Sequence, residues 1–269
     1  MMAMVSGLRT TRRALIGAGV AVLVVLVGGI VVARIRTSTD QSSGGSTTAR
    51  VSWDAARTSP DGRELLFAFT GAAAYRGDDP CSADYTVELT ETDGRVVAGI
   101  VEHMPDRGNH PDLACAAIGY GRTARATLAQ PLASRELIDG RTGQPHPPFD
   151  GATLLDATSL PAGWMLQNEN GGDTVHGPTW VRFYGPDGAT AQGVSVRQGP
   201  PEMLLSYLGE SFYKSVGHCT VHGIDATLYV QPSDANVLIL AWAEHGQSVS
   251  VWGRLDQDEL VRFASDLSG

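Results

Sequence analysis

Lysine is all but missing: Lys214 stands alone beside nineteen arginines in 269 residues. Together with heavy use of Ala and Gly, that bias follows genome composition more than function. Catalytic signatures are missing too. The chain has no G-x-S-x-G elbow, no S-x-x-K, no phosphate-cradling glycine loop, no H-E-x-x-H and no calcium-loop spacing, which removes the sequence grounds for the reactions those patterns serve. No pair of acidic residues is placed by any local feature at the separation glycoside hydrolysis needs. The three cysteines lack the paired short spacings of a structural zinc site. Positive charge is scarce after residue 50, where fourteen basic residues face twenty-eight acidic ones, a net charge near −14. Nucleic-acid binding requires a concentrated positive surface, and so does lying flat on anionic lipid. No catalytic, cofactor-binding or metal-binding residue is assigned.

What the chain does have is Ala14 to Ala33, twenty residues without a charge or an amide, followed at once by Arg34-Ile35-Arg36. As a helix this run rises about 30 Å, the thickness of a bilayer core. It is longer than the core of a cleaved signal peptide, and Arg34 and Arg36 stand where a small-residue cleavage site belongs. The reading is a retained single-pass anchor. Residues 1–13, with Arg9, Arg12 and Arg13, form a cytoplasmic stub, and more than two hundred residues follow the span. The ectodomain is placed outside the cytoplasm. Residues 34–50, rich in Ser, Gly and Thr, read as a flexible linker.

The remaining length suggests two domains, 51–144 and 145–269, divided near the Pro- and Gly-rich run 140–149. One domain with a long surface loop there is the alternative. The first half reads as β-rich, a small sandwich. Leu65 to Phe69 is a compact apolar strand, and Tyr85 to Thr90 pairs with Arg95 to Val101 across Asp93-Gly94. The second half reads as an antiparallel sheet covered by helices, so the ectodomain is α+β behind a transmembrane helix. Its strands include Thr179 to Tyr184, Ala191 to Arg197, Ala226 to Val230, Val237 to Trp242 and Gln247 to Trp252. Asn168 to Thr174 reads as a polar connection. Helices are expected over Glu202 to Phe212 and from Asp256, where Glu259 three residues on completes a capping-box pattern.

Cys81 and Cys115 frame the first hairpin. In an exported domain the economical reading is a disulfide, whose loop of roughly 35 residues is worth about 4 kcal/mol in unfolded-state entropy; two buried free thiols are the alternative. Cys219 has His218 and His222 nearby, but neighbours on a strand point to opposite faces, so it reads as a structural, half-buried cysteine. Glu102, His103, Asp106, His110 and Asp112 carry metal-ligand chemistry on a proline-stiffened stretch, which reads as a solvated loop.

The last thirty residues resemble the closing strand pair and helix of small ectodomains on actinobacterial membranes, with similar endings in lipoprotein-carrier and sigma-regulatory periplasmic domains. Leu240, Trp242, Gly246, Val251, Gly253, Glu259, Leu260, Ala264 and Leu267 carry the resemblance. It implies architecture and no catalytic residue. The leading functional expectation is a non-enzymatic, membrane-tethered, extracytoplasmic ligand-binding module, with an apolar small molecule or an envelope protein as partner and no cofactor. The alternative is an envelope protein-interaction or structural module, and a hydrolase stands third. Trp180, Trp252 and Tyr207 are the candidate ligand or partner surface.

Overall fold

The computed structural model describes residues 47–77, 79–105, 115, 119–187, 193–203 and 213–269. All of them fall in one compact unit, Ser42–Gly269. The apolar run 14–33, the stub before it and most of the linker lie outside the described residues, as does most of the expected helix over 202–212. Among the described residues, no helix is long and apolar enough to cross a membrane.

In chain order the first eight strands are β1 (Thr47–Val51), β2 (Ala55–Thr58), β3 (Glu64–Gly71), β4 (Ala73–Ala74), β5 (Ser82–Glu91), β6 (Arg95–Met104), β7 (Tyr120–Thr127) and β8 (Glu136–Asp139). They make two sheets. One has the order β1-β6-β5-β4 with β8 also on β6, and the other is β2-β3-β7. Between them lies a core in which Leu65, Phe67 and Phe69 of β3 face Val96, Ala98 and Ile100 of β6. The Asp93-Gly94 hairpin forms as expected, with Glu91 opposite Val96 and the Thr92 amide donating to the Arg95 carbonyl. Cys81 and Cys115 are joined in a disulfide with Cα atoms 5.4 Å apart.

Thr47 to Arg50, assigned to the linker by composition, belong to β1 and pair with Val101 to Met104. The pairing is made by main-chain groups, which Thr, Ala and Arg supply as well as any residue, so the lack of apolar side chains does not forbid it.

The later elements are β9 (Asp156–Ala157), β10 (Trp164–Thr174), β11 (Gly177–Pro186), β12 (Val194–Gly199), β13 (Lys214–Val221), β14 (Ile224–Gln231), β15 (Asp234–Glu244), β16 (Gln247–Gly253), helix α1 (Gln257–Ser265) and β17 (Leu267–Ser268). Seven strands form one antiparallel sheet in the order β10-β11-β12-β16-β15-β14-β13. Val196, Val249, Val251, Leu240 and Leu228 share a core with Leu260, Phe263 and Ala264 of α1. On the opposite face Ile239 and Ala241 pack with Tyr213, Tyr229 and Trp252. The unalternating run Val237 to Trp242 is therefore that of a strand buried on both faces. The whole is an α+β domain dominated by antiparallel sheet.

Asn168 to Thr174 is not a connection but the outer part of β10, paired with Gly177 to Phe183 of β11. The strand is polar because its inward-facing position is a carboxylate, Glu169, and because Gly171 leaves room for Trp180, whose ring lies 2.5 Å from where a Cβ would stand. The second face of β3 explains the placement. Leu66 and Ala68 point away from the first core and pack with Ala55, Phe149, Leu154 and Trp180. The run 140–149 is pinned at its end, Phe149 exchanging backbone hydrogen bonds with Ala56 and Thr58.

Candidate functional site

Two arrangements outside the cores concentrate chemistry, and they differ in kind. The first is a buried charge cluster between β2 and the β10–β11 pair. Arg57 donates from Nε and Nη2 to the two Glu169 carboxylate oxygens at 3.1 Å each, and the Trp180 indole donates to the same carboxylate at 3.0 Å. Arg182 approaches Glu169 at 3.5 Å and Asp156 at 3.0 Å. Burial alone would raise the Glu169 pKa, but the hydrogen bonds from Arg57 and Trp180 and the charges of Arg57 and Arg182 outweigh it and hold the carboxyl below its usual range. The carboxylate is thus held by donors from Arg57 and Trp180, with Arg182 and, at 3.7 Å, Arg125 beside it. The cluster is a joint between sheets.

The second is an open groove of about 410 Å³ beside α1. Its helical wall follows from local sequence. Asp256 caps α1, accepting from the Glu259 amide, while the Glu259 carboxylate accepts from the Asp256 amide at 3.4 Å. With the start fixed, the 3.6-residue period sends Leu260, Phe263 and Ala264 into the core and leaves Glu259, Arg262 and Asp266 along one flank. The facing wall is the segment Ser159-Leu160-Pro161, which ends in a tight turn: Gly163 has φ +80°, and the Trp164 amide donates to the Pro161 carbonyl. Leu160, Pro161, Trp164, Leu255 and Phe263 make an apolar floor, rimmed by Ser159, Glu259, Arg262 and Asp266. The Trp164 and Phe263 ring centroids are 6.4 Å apart.

The walls are tied at one end. β9 and β17 pair through Ala157 opposite Leu267, and Thr158 donates from both its amide and its hydroxyl to the Asp266 carbonyl. Behind the floor, Tyr184 lies 5.7 Å from Phe263 and donates its hydroxyl to Asp156 at 2.7 Å. Burial first, and that hydrogen bond second, push the Tyr184 pKa up, so the phenol stays a donor. A second cleft, about 480 Å³ between the Ser59–Gly62 turn and Pro131–Ala133, has no aromatic side chain in its lining.

The residues singled out from sequence are scattered. Trp180 is 0% exposed and bonded to Glu169, so it is a core residue and no part of a surface. The alternation of Thr179 to Tyr184 does not reveal this, because both faces of that strand are covered there. Trp252 lies on the other side of the large sheet, half-buried, donating to the Ser250 hydroxyl with Arg197 over its ring. Tyr207 lies outside the described residues. Glu102 accepts from the Tyr85 hydroxyl and His103 bonds Thr86, both from β6; Asp106, His110 and Asp112 lie outside the described residues. Among the described residues no group of His, Cys, Asp and Glu gathers as a metal site. Cys219 is a free, half-buried thiol whose pKa burial raises. The groove has no local signature in the sequence: the segment Leu160 to Trp164 and the capped helix that begins at Asp256 lie about a hundred residues apart, and nothing local joins them.

No family model matches the chain, and no curated protein matches it. Among solved structures the chain is similar to one in a crystal structure of MucB in complex with MucA(peri), at 12% identity over 83% of this chain and 67% of that one, with a TM-score of 0.27. It is also similar to one in the complex of Pseudomonas aeruginosa MucA/MucB, at 11% identity over 83% and 65%, with the same TM-score of 0.27. The chain spans about two thirds of the length of each.

Proposed function

We propose that this chain is an extracytoplasmic protein-interaction module, tethered to the membrane by residues 14–33, that works by binding an apolar side chain of an envelope protein in the groove beside α1. The observation that carries the reading is the groove's form. A carrier of small apolar molecules encloses most of its ligand's surface, whereas this groove is only partly enclosed. An open, aromatic-floored depression with a polar rim is the form of an interface anchor point, where one buried side chain contributes much of the affinity and the rim excludes water. This favours protein interaction over the small-molecule binding that the sequence put first. Arg262 supports the assignment: it is exposed at the rim and, among the described residues, engaged in no salt bridge. It can therefore meet an acidic group of the partner.

The test places a photo-crosslinking phenylalanine analogue at position 262 of the full chain in living cells, and at Asp93 in the remote hairpin turn as a control. One discrete protein adduct is expected from position 262 and none from 93, and Leu160→Asp, which puts a charge on the groove floor, should abolish it. An adduct indifferent to Leu160→Asp would refute the groove as the docking site. A lipid adduct in its place would refute the protein partner.

A further inference from the structure

His222 sits at a position that glycine, asparagine and aspartate usually fill. The β13–β14 and β15–β16 hairpins both close through two-residue His-Gly turns, with Val221 opposite Ile224 and Glu244 opposite Gln247. All four central residues have positive φ: His222 +52° and Gly223 +79°, His245 +49° and Gly246 +73°. These are mirror-image turns whose first position favours Asn, because a positive φ is uncommon for other non-glycine residues. At His245 the side chain is exposed and hydrogen-bonds to none of the described residues. At His222 it does specific work.

The Nδ1 atom of His222 lies 3.0 and 2.9 Å from the two oxygens of Glu244, and its Nε2 atom lies 3.2 Å from the main-chain carbonyl of Ser265. Ser265 is the last residue of α1, so this carbonyl is one of the helix-end acceptors that have no partner within the helix, at the negative end of its dipole. Both nitrogens therefore face atoms that only accept. A neutral imidazole carries one N–H and can serve one of them; the imidazolium carries two and serves both. Glu244 is only 10% exposed and accepts a second hydrogen bond from the Trp242 indole at 2.8 Å. Burial alone would raise its pKa, but the bonds from Trp242 and His222 and the charges of His222 and His245 hold it below its usual range. The other ionisable groups on these elements are Lys214, His218 and Cys219 on β13, Asp225 and Tyr229 on β14, Asp234 on β15, His245 in the neighbouring turn, and Asp258, Glu259, Arg262 and Asp266 on α1 and its end; among the described residues none of them hydrogen-bonds the imidazole.

We propose that His222 is a proton-dependent latch, which in its doubly protonated form fastens the C-terminal end of α1 to the two hairpin turns and lets go of it when the proton leaves. The carboxylate is the stronger acceptor, so the remaining proton stays on Nδ1 and the Nε2 lone pair is left facing the Ser265 carbonyl. That contact changes from a hydrogen bond to a repulsion. The end of α1 is where the helix passes into β17 and where Asp266 holds Thr158, so its release loosens the tied end of the groove. The latch stands whether or not the groove takes a protein partner; only its consequence for docking rests on that reading.

Two measurements on the full chain in detergent micelles test it. Nitrogen-15 spectra of the imidazole should show both ring nitrogens of His222 protonated near about pH 5.5. Amide exchange at Asp266, Leu267 and Thr158, corrected for the intrinsic pH dependence of the chemistry, should lose about tenfold in protection between about pH 5.5 and about pH 8, the scale of one charge-assisted hydrogen bond. His222→Asn keeps the favoured Asn-Gly turn, so the β13–β14 amides should stay protected while those three lose the pH step. His245→Asn should retain the step. A wild-type chain with protected amides and a singly protonated His222 at the low end overturns the proposal, as does a step that survives His222→Asn or disappears with His245→Asn.

Discussion

Glu169 is the single residue whose loss should reach furthest through the fold. Its carboxylate is 7% exposed and is held by Arg57, whose side chain is 12% exposed, and by Arg182 at 9%. Replacing Glu169 with Met keeps the volume and removes the charge. Arg182 retains Asp156, but Arg57 is left buried with its counter-ion gone. Breaking one side of a buried pair costs about 3–5 kcal/mol, because the stranded charge is neither solvated nor paired. For a unit of this size about 1 kcal/mol moves the melting temperature by about 2–4 °C, so a fall of at least about 6 °C is expected. Removing Arg57 as well should restore most of the loss: Arg57→Met with Glu169→Met replaces two desolvated charges by apolar packing against Trp180, Leu66 and Phe149. The sign with pH is fixed by the direction of the shift. The Glu169 carboxyl is held below its usual range, so its contribution is fully present above the unfolded carboxylate value of about 4.3 and is lost as pH falls through the folded value. Urea midpoints for wild type and Glu169→Met should therefore differ by a constant amount from about pH 5.5 upward and converge in acid. A single substitution costing under about 1 kcal/mol, or a double substitution costing the sum of the singles, would refute the claim that the pair is buried and coupled.

Other perturbations separate the remaining parts. Leu260→Ala should cost about 2–5 kcal/mol, since the side chain is fully buried beneath α1, whereas Asp256→Ala should cost about 0.5–2 kcal/mol by removing the cap; urea denaturation compares them, and equal losses would contradict the packing. Cys81→Ser with Cys115→Ser should lower stability by about 2–5 kcal/mol, while non-reducing peptide mapping of the wild type should find Cys219 outside any linkage. Because burial raises the Cys219 thiol, its reaction with iodoacetamide at neutral pH should be slower than that of a free cysteine, and an equal rate would contradict its burial. Protease added to intact, wall-stripped cells should digest the chain beyond residue 50, and full-length protein in the salt-washed soluble fraction would refute the membrane tether.

What could be read in the sequence was what is encoded within a few residues. The Asp93-Gly94 hairpin and the Asp256–Glu259 capping box form as their motifs imply, because turn and cap chemistry act over two to four residues. The apolar runs Leu65 to Phe69 and Val237 to Trp242 were recognised as strands, yet composition could not say what their second faces meet. One meets Trp180 and Phe149 from the second half, and the other meets Tyr213, Tyr229 and Trp252. Asn168 to Thr174 misled for the complementary reason: a carboxylate in a polar stretch looks solvated until an arginine 112 residues away is brought against it.

The same reasoning locates the groove and the latch among features that have no local signature. Each is built where turn segments from different parts of the chain converge on one helix. At one end of α1 the capping box uses the Glu259 carboxylate internally, which leaves Arg262 as the rim's uncommitted cation. At the other end the Ser265 carbonyl takes its donor from His222, forty-three residues earlier in the chain. A helix of nine residues is too short to hold itself together in water, so its position depends on these tertiary contacts and on the three side chains it buries. Arg262 of the rim, Phe263 of the floor and Ser265, the latch's acceptor, belong to its last turn, the part of any helix that frays first. The element that walls the groove is therefore also the one whose attachment, on the proposed latch, a single proton alters.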